Sequence, residues 1–167
     1  MLVFQSMKQQ SLFPLKNHSF HGGMLAKGRR KERRPFAKNR PVHLVLKSKK
    51  NLSTNRKLVE SKIQHLSGRF SIRVYDLAVS QDHVHLSLKI PRRNEYVNFL
   101  RALTGVLARL LGSKLWKLPP STRVISWGRD FQYLKKYFRE NREESGGLRP
   151  YRKRGLVWEI FVRIEIN

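Results

Sequence analysis

Apolar and polar positions fall into blocks along this chain, and the repeat changes from block to block. Val42-His43-Leu44-Val45-Leu46-Lys47 is short, rich in branched aliphatic residues and bounded by Pro41 and Ser48, which predicts a strand. From Asn51 to Leu66 the residues Leu58, Val59, Ile63 and Leu66 recur at helical spacing. Ser53 or Thr54 would cap that helix and Gly68 would end it. Phe70 to Val79 predicts a second strand, carried by Ile72, Val74 and Tyr75. Ser80-Gln81-Asp82 is a polar turn, and His83 to Ile90 a third strand stopped by Pro91, so these two strands should form an antiparallel hairpin. Asn94 to Leu111 returns to the 3.6-residue period, with Gly112 closing a second helix. Beyond Pro119-Pro120, Ser121 to Trp127 predicts a short fourth strand, and Asp130 to Glu144 a third helix before Gly146-Gly147.

The order β-α-β-β-α-β-α belongs to ferredoxin-like α+β folds. Such a fold is a four-stranded antiparallel sheet with helices on one face, and here a third helix would cover the other side. Residues 1–40 read as an irregular basic arm and 41–147 as the domain. Residues 148–167 form a tail whose alternation, Val157, Glu159, Phe161, Arg163, suggests an extra edge strand.

Charge narrows the partner. The chain has 36 Lys and Arg against 11 Asp and Glu, a net charge of +25 over 167 residues. A domain so charged repels itself until an anion neutralises it, and nucleic acid is the commonest such anion. Residues 1–50 hold 13 of the cations and a single acid, Glu32. Because these cations are interspersed with Pro, Gly and Asn, the arm does not form the basic amphipathic helix a membrane surface would need. No apolar run is long enough to span a bilayer, and the first residues lack the layout of a secretory signal. The expectation is a cytoplasmic, nucleoid-associated protein. With no cysteine, zinc-finger sets, disulfides and thiol nucleophiles are excluded together.

The third strand carries the first chemistry. Alternation puts Val84, Leu86, Leu88 and Ile90 on one face, and His83, His85, Ser87 and Lys89 on the other. Two imidazoles two residues apart stand roughly 7 Å apart at Cα and can turn onto one metal ion. With 6 histidines in 167 residues, chance alone supplies roughly 0.2 such pairs per chain, so the motif is weak until something completes it. On the third helix Tyr133, Tyr137 and Asn141 are spaced by four and share a face. An asparagine carbonyl would be a third ligand, and a tyrosine one turn away a covalent nucleophile; spacing does not choose between Tyr133 and Tyr137. Two imidazoles and an amide oxygen suit Mg2+ or Mn2+. His43 on the first strand shares a face with Val45 and Lys47 and has no assigned role.

Five segments, RPVHLVLKS (40–48), QDHVHLSLKI (81–90), NFLRALTGVLARLL (98–111), TRVISWGRDF (122–131) and YFRENREESG (137–146), resemble in order the single-tyrosine transposases of the HUH superfamily. Within these the chain is most similar to the REP-associated, insertion-sequence-200-like group. The basic lead HGGMLAKGRRKERRP (21–35) also resembles segments that precede this domain, so the likeness spans roughly residues 21–147. It implies His83 and His85 as metal ligands, Asn141 as the third, and Tyr137, which opens the Tyr-x-x-x-Asn pattern, as the nucleophile. It implies metal-dependent cleavage of single-stranded DNA near a hairpin through a 5′-phosphotyrosine link, followed by rejoining, by a monomer or homodimer. Two positions depart from the family pattern: Asp82 precedes the first histidine where Asn is usual, and Arg142 follows Asn141 where Pro is frequent. Phosphate contacts would come from Arg29, Arg30, Arg33, Arg34, Lys38 and Arg40 in the arm. Arg123, Arg129, Lys135, Lys136 and Arg139 would add theirs around the tyrosine. Trp127 and Phe131 would either stack on an unpaired base or pack in the core. The alternative function is a domesticated, non-catalytic nucleic-acid-binding protein of the same fold, whose binding would be indifferent to chelators.

Overall fold

A computed structural model describes residues 20–23 and 33–150. Its elements in chain order are β1 (Phe20–His21), β2 (Val42–Lys47), α1 (Arg56–Arg69), β3 (Arg73–Val79), β4 (His83–Lys89), α2 (Arg93–Leu111), β5 (Ser121–Val124) and α3 (Arg129–Ser145). The sheet order is β1-β5-β2-β4-β3, with every neighbouring pair antiparallel. This is the expected four-stranded sheet, with β4 between β2 and β3, plus a two-residue edge strand. The expected tail strand at 155–167 lies outside the described residues. Among those described, no helix is long and apolar enough to cross a membrane.

Strand alternation sorts the sheet into two faces. Val42, Leu44 and Leu46 of β2 stand opposite Leu88, Leu86 and Val84 of β4. This apolar strip is sealed by Val59, Ile63 and Leu66 of α1 and by Tyr96, Phe99, Leu103 and Leu107 of α2. Burying such side chains is worth roughly 1.5–3 kcal/mol each, so this layer dominates stability. The opposite face carries a smaller cluster, Ala78, Ile125, Phe131, Leu134 and Phe138, through which α3 docks.

Several boundaries differ from the expectation for local reasons. The start of α1 is not capped by Ser53 or Thr54; a 3₁₀ turn over Ser53–Asn55 precedes it, and Asn51 Oδ1 accepts from the Ser53 amide at 2.9 Å. The asparagine side chain makes the turn that a helix cap would otherwise make. Gly68 lies inside α1, which runs on to Arg69; Ser71 then takes a positive φ of 54°, so β3 starts at Arg73 instead of Phe70. β5 stops at Val124, and residues 125–128 turn the chain into α3. The arm is not irregular throughout: Phe20 and His21 pair with Arg123 and Thr122. Gly22 makes that approach possible, since at φ 93° a Cβ there would run into the Pro120 carbonyl.

Candidate active site

α3 builds the site because its apolar residues and its chemical residues occupy adjacent stripes. Phe131, Leu134 and Phe138 recur at three and four residues and grip the sheet. Tyr137 follows one position round, partly buried at the edge of that cluster. Its hydroxyl lies 3.1 Å from Nε2 of His85, with the two rings perpendicular. Nδ1 of His85 lies 3.1 Å from Nε2 of His43, and these imidazoles stack at 5.3 Å. Phe138 meets both edge-on, its centroid 5.7 Å from His43 and 6.1 Å from His85. The His83 ring stands 4.5 Å from His85, and its Nδ1 is paired with Asp82.

The protonation states follow from burial. His43 is 5% exposed, and its pKa is lowered to about 3, first by desolvation and then by the charges of Arg123 and His83. It is therefore neutral at pH 7. For Nε2 of His85 to accept the Tyr137 hydroxyl, its proton must sit on Nδ1, from which it donates to Nε2 of His43. In that tautomer Nε2 of His85 is the acceptor for Tyr137, and a neutral His43 is able to accept from Nδ1.

The donor set fits a divalent cation in type. Among the described residues no three His, Cys, Asp or Glu gather as a metal group, so a third protein ligand has to be of another kind. Asn141, 5% exposed, spends its amide Nδ2 on the Tyr137 carbonyl at 2.7 Å, so its Oδ1 is the atom that could serve as a ligand. Asp82 on His83 is the carboxylate–imidazole pairing that orients metal-binding histidines and leaves Nε2 outward. Nε2 of His85 can serve one partner at a time: the Tyr137 hydroxyl, as in this structure, or a cation.

The structure separates the two tyrosines. Tyr133 is 46% exposed, away from the imidazoles, whereas Tyr137 reaches His85. The proposed DNA-binding cations divide similarly. Arg33, Lys38, Arg40, Arg129, Lys135, Lys136 and Arg139 are exposed. Arg123 is half-buried on β5 opposite His43. Arg34 is used inside the fold: its guanidinium donates to the Pro120 carbonyl at 2.6 Å and to Thr122 Oγ1 at 3.1 Å, and burial lowers its pKa. Arg29 and Arg30 lie outside the described residues. Of the two aromatics, Phe131 is core and Trp127 is half in water.

Sequence reasoning left His43 without a role because only the register reveals it. His43 pairs with Ser87 and Val45 with His85, so the two histidines are diagonal neighbours on one face. Both departures from the family pattern also find partners here. Asp82 holds His83, and Arg142 pairs with Asp76, tying the end of α3 to β3.

Comparison with known proteins gives the family and the fold. A family model described as "Transposase IS200 like" matches residues 37–144. The solved structure of a REP-associated tyrosine transposase bound to a REP hairpin shares the fold, with TM-score 0.60 and 15% identity over 71% of this chain and 75% of that one. A transposase candidate from Deinococcus radiodurans R1 aligns at TM-score 0.41 and 18% identity, over 68% of this chain and 98% of its own. No curated protein matches the sequence. With a match over residues 37–144, most of its length, the chain belongs to the IS200-like transposase family.

Proposed function

We propose that this chain cuts and rejoins single-stranded DNA beside a hairpin, with Tyr137 as nucleophile. The observation that carries the reading is the Tyr137 hydroxyl 3.1 Å from Nε2 of His85, with His83 alongside. Support comes from the family match and from the fold shared with a transposase bound to a REP hairpin.

A free phenol titrates near pH ~10, so Tyr137 needs its proton drawn off and the phosphate made electrophilic. His83, His85 and Asn141 would hold a divalent ion, Mg2+ or Mn2+, which when bound supplies polarisation of the scissile phosphate oxygen. Tyr137 Oη attacks phosphorus and gives its proton to solvent water, since Nε2 of His85 would be engaged by the ion. The new Oη–P bond forms, the P–O3′ bond breaks, and the leaving oxygen takes a proton to become a 3′-hydroxyl. The 5′-phosphate stays on Tyr137. One phosphodiester replaces another, so an incoming 3′-hydroxyl reverses the step without a nucleotide cofactor. Phe138 fixes the lateral position of both imidazoles, and His43 holds the tautomer of His85. The exposed cations of α3 and of residues 33–40 would take the flanking phosphates.

The test is a denaturing gel after incubation with single-stranded hairpin oligonucleotides, including the DNA flanking the gene, in Mn2+ or EDTA. A covalent adduct that needs the metal and disappears in Tyr137→Phe is the expected result. An adduct in Tyr137→Phe would refute the nucleophile. Tight, salt-sensitive binding with no adduct, and unaffected by EDTA, would favour the non-catalytic alternative.

A further inference from the structure

We infer that Trp127 is a stacking platform for one unpaired nucleobase of the substrate strand, a few nucleotides from the bond that Tyr137 attacks. This deepens the single-stranded DNA reading and rests on it. Trp127 is 51% exposed although it is the largest apolar side-chain type. It is not loose. Its indole N–H donates to the Asn39 carbonyl at 2.6 Å. Its ring meets Phe131 at 4.8 Å and Tyr75 at 5.8 Å, both close to perpendicular. Those two rings belong to the cluster that docks α3, so Trp127 rides on the same rigid layer as Tyr137.

The surroundings choose the occupant. Arg73 lies over Tyr75 at 5.5 Å and Lys135 over Phe131 at 5.1 Å, so each ring that holds Trp127 also carries a cation. Asn39 sits between Lys38 and Arg40, and Arg129 opens α3 two residues beyond Trp127; all three cations are exposed. The nearest acid in the chain is Asp130. A cationic ligand would be repelled there, and an apolar peptide would leave the charges unanswered. A nucleobase offers a flat π-face for the indole, and its flanking phosphates answer the cations. A base inside a duplex has no such free face. Trp127 lies in the turn that opens α3, and the eight residues from Arg129 to Tyr137 rise roughly 12 Å along the helix. A single strand lying on this face would reach both groups at once.

Binding is measured in EDTA, where no cutting intervenes, with a short oligothymidylate and with a blunt duplex of the same length, at one salt concentration. Trp127→Leu should weaken oligothymidylate binding by about 5- to 150-fold, the range for one lost stacked base. Duplex binding should stay within about twofold. Tryptophan emission of the wild type should fall on adding oligothymidylate. Trp127→Phe, which keeps a π-face and the fold, should retain most of the affinity and lose that part of the quench. If the single strand binds with no emission difference between wild type and Trp127→Phe, the platform is refuted. Equal losses on single strand and duplex in Trp127→Leu would also refute it. Failure of the wild type to bind oligothymidylate would overturn the single-stranded DNA reading itself, a different result from either.

Discussion

Replacing His43 by Gln should flatten the acid sensitivity of this protein. His43 is buried on β2, facing His85 and His83 of β4, Arg123 of β5, and Tyr137 and Phe138 of α3. Its pKa in the fold is about 3 against an ordinary 6.5, because burial first, and then the neighbouring Arg123 and His83, penalise the imidazolium. The unfolded chain therefore takes up the proton first. Stability from the neutral ring is complete above about pH 6.5 and is lost as pH falls toward 3. At pH 5 an unfolded imidazole gains RT ln(1 + 10^1.5), about 2 kcal/mol, while the folded one gains almost nothing. That figure barely changes if the folded value is moved up by a unit, since pH 5 stays above it. Gln has no titrating group and keeps an amide to meet Nδ1 of His85. The assay is urea unfolding in EDTA at several pH values from neutral to 5, for wild type and His43→Gln, with stability taken from midpoint and slope. The stability gap between them should shift by about 2 kcal/mol in favour of the variant at pH 5. A gap constant to within about 0.5 kcal/mol would mean that His43 is not held neutral by its surroundings, and the tautomer argument for His85 would fall with it.

Two further outcomes follow from the separation of the layers. Phe138 is fully buried in the small cluster under α3; Phe138→Ala should cost about 3–5 kcal/mol. In limited trypsin digestion it should expose Lys135, Lys136 and Arg139 to cleavage before any site in α1 or α2. Gly22→Ala puts a Cβ against the Pro120 carbonyl at a backbone angle that L-residues avoid. It should release β1 from β5, seen as faster hydrogen exchange at the amides that join Phe20 and His21 to Thr122 and Arg123, with the α1–α2 core unchanged.

What could be read in the sequence was whatever depends on period. Alternation in His83–Lys89 separated the apolar residues that α1 and α2 cover from the histidines on the other face, and four-residue spacing put Tyr137 and Asn141 on one side of α3. What could not be read depends on register or on side-chain competition. His43 joins the site only because of its pairing with Ser87. Tyr75 reaches the cluster under α3 beside an irregularity between Val74 and Asp76, which no repeat encodes. Trp127 and Phe131 are four residues apart in composition-matched surroundings, and one ended in the core while the other stayed half in water. Arg34 looks like any other cation of the arm until Pro120 and Thr122 are seen to accept its guanidinium.

The charge that suits this chain to DNA also bears on the state of its buried imidazole, His43. An exposed cationic surface draws in phosphate at long range. On the inner face the same excess of positive charge, felt at His43 through Arg123 and His83, adds to desolvation in disfavouring imidazolium. Neutral rings are what the proposed chemistry requires, because only a neutral His85 offers Nε2 as an acceptor for Tyr137 or as a ligand, and only a neutral His43 can accept from Nδ1. His43 thus stays unprotonated below the pH at which free imidazole would charge. Phosphates arriving beside Arg123 work in the opposite sense and raise imidazole pKa values. The deep burial of His43 beside Phe138, where desolvation is the largest contribution, would keep this ring neutral against that change.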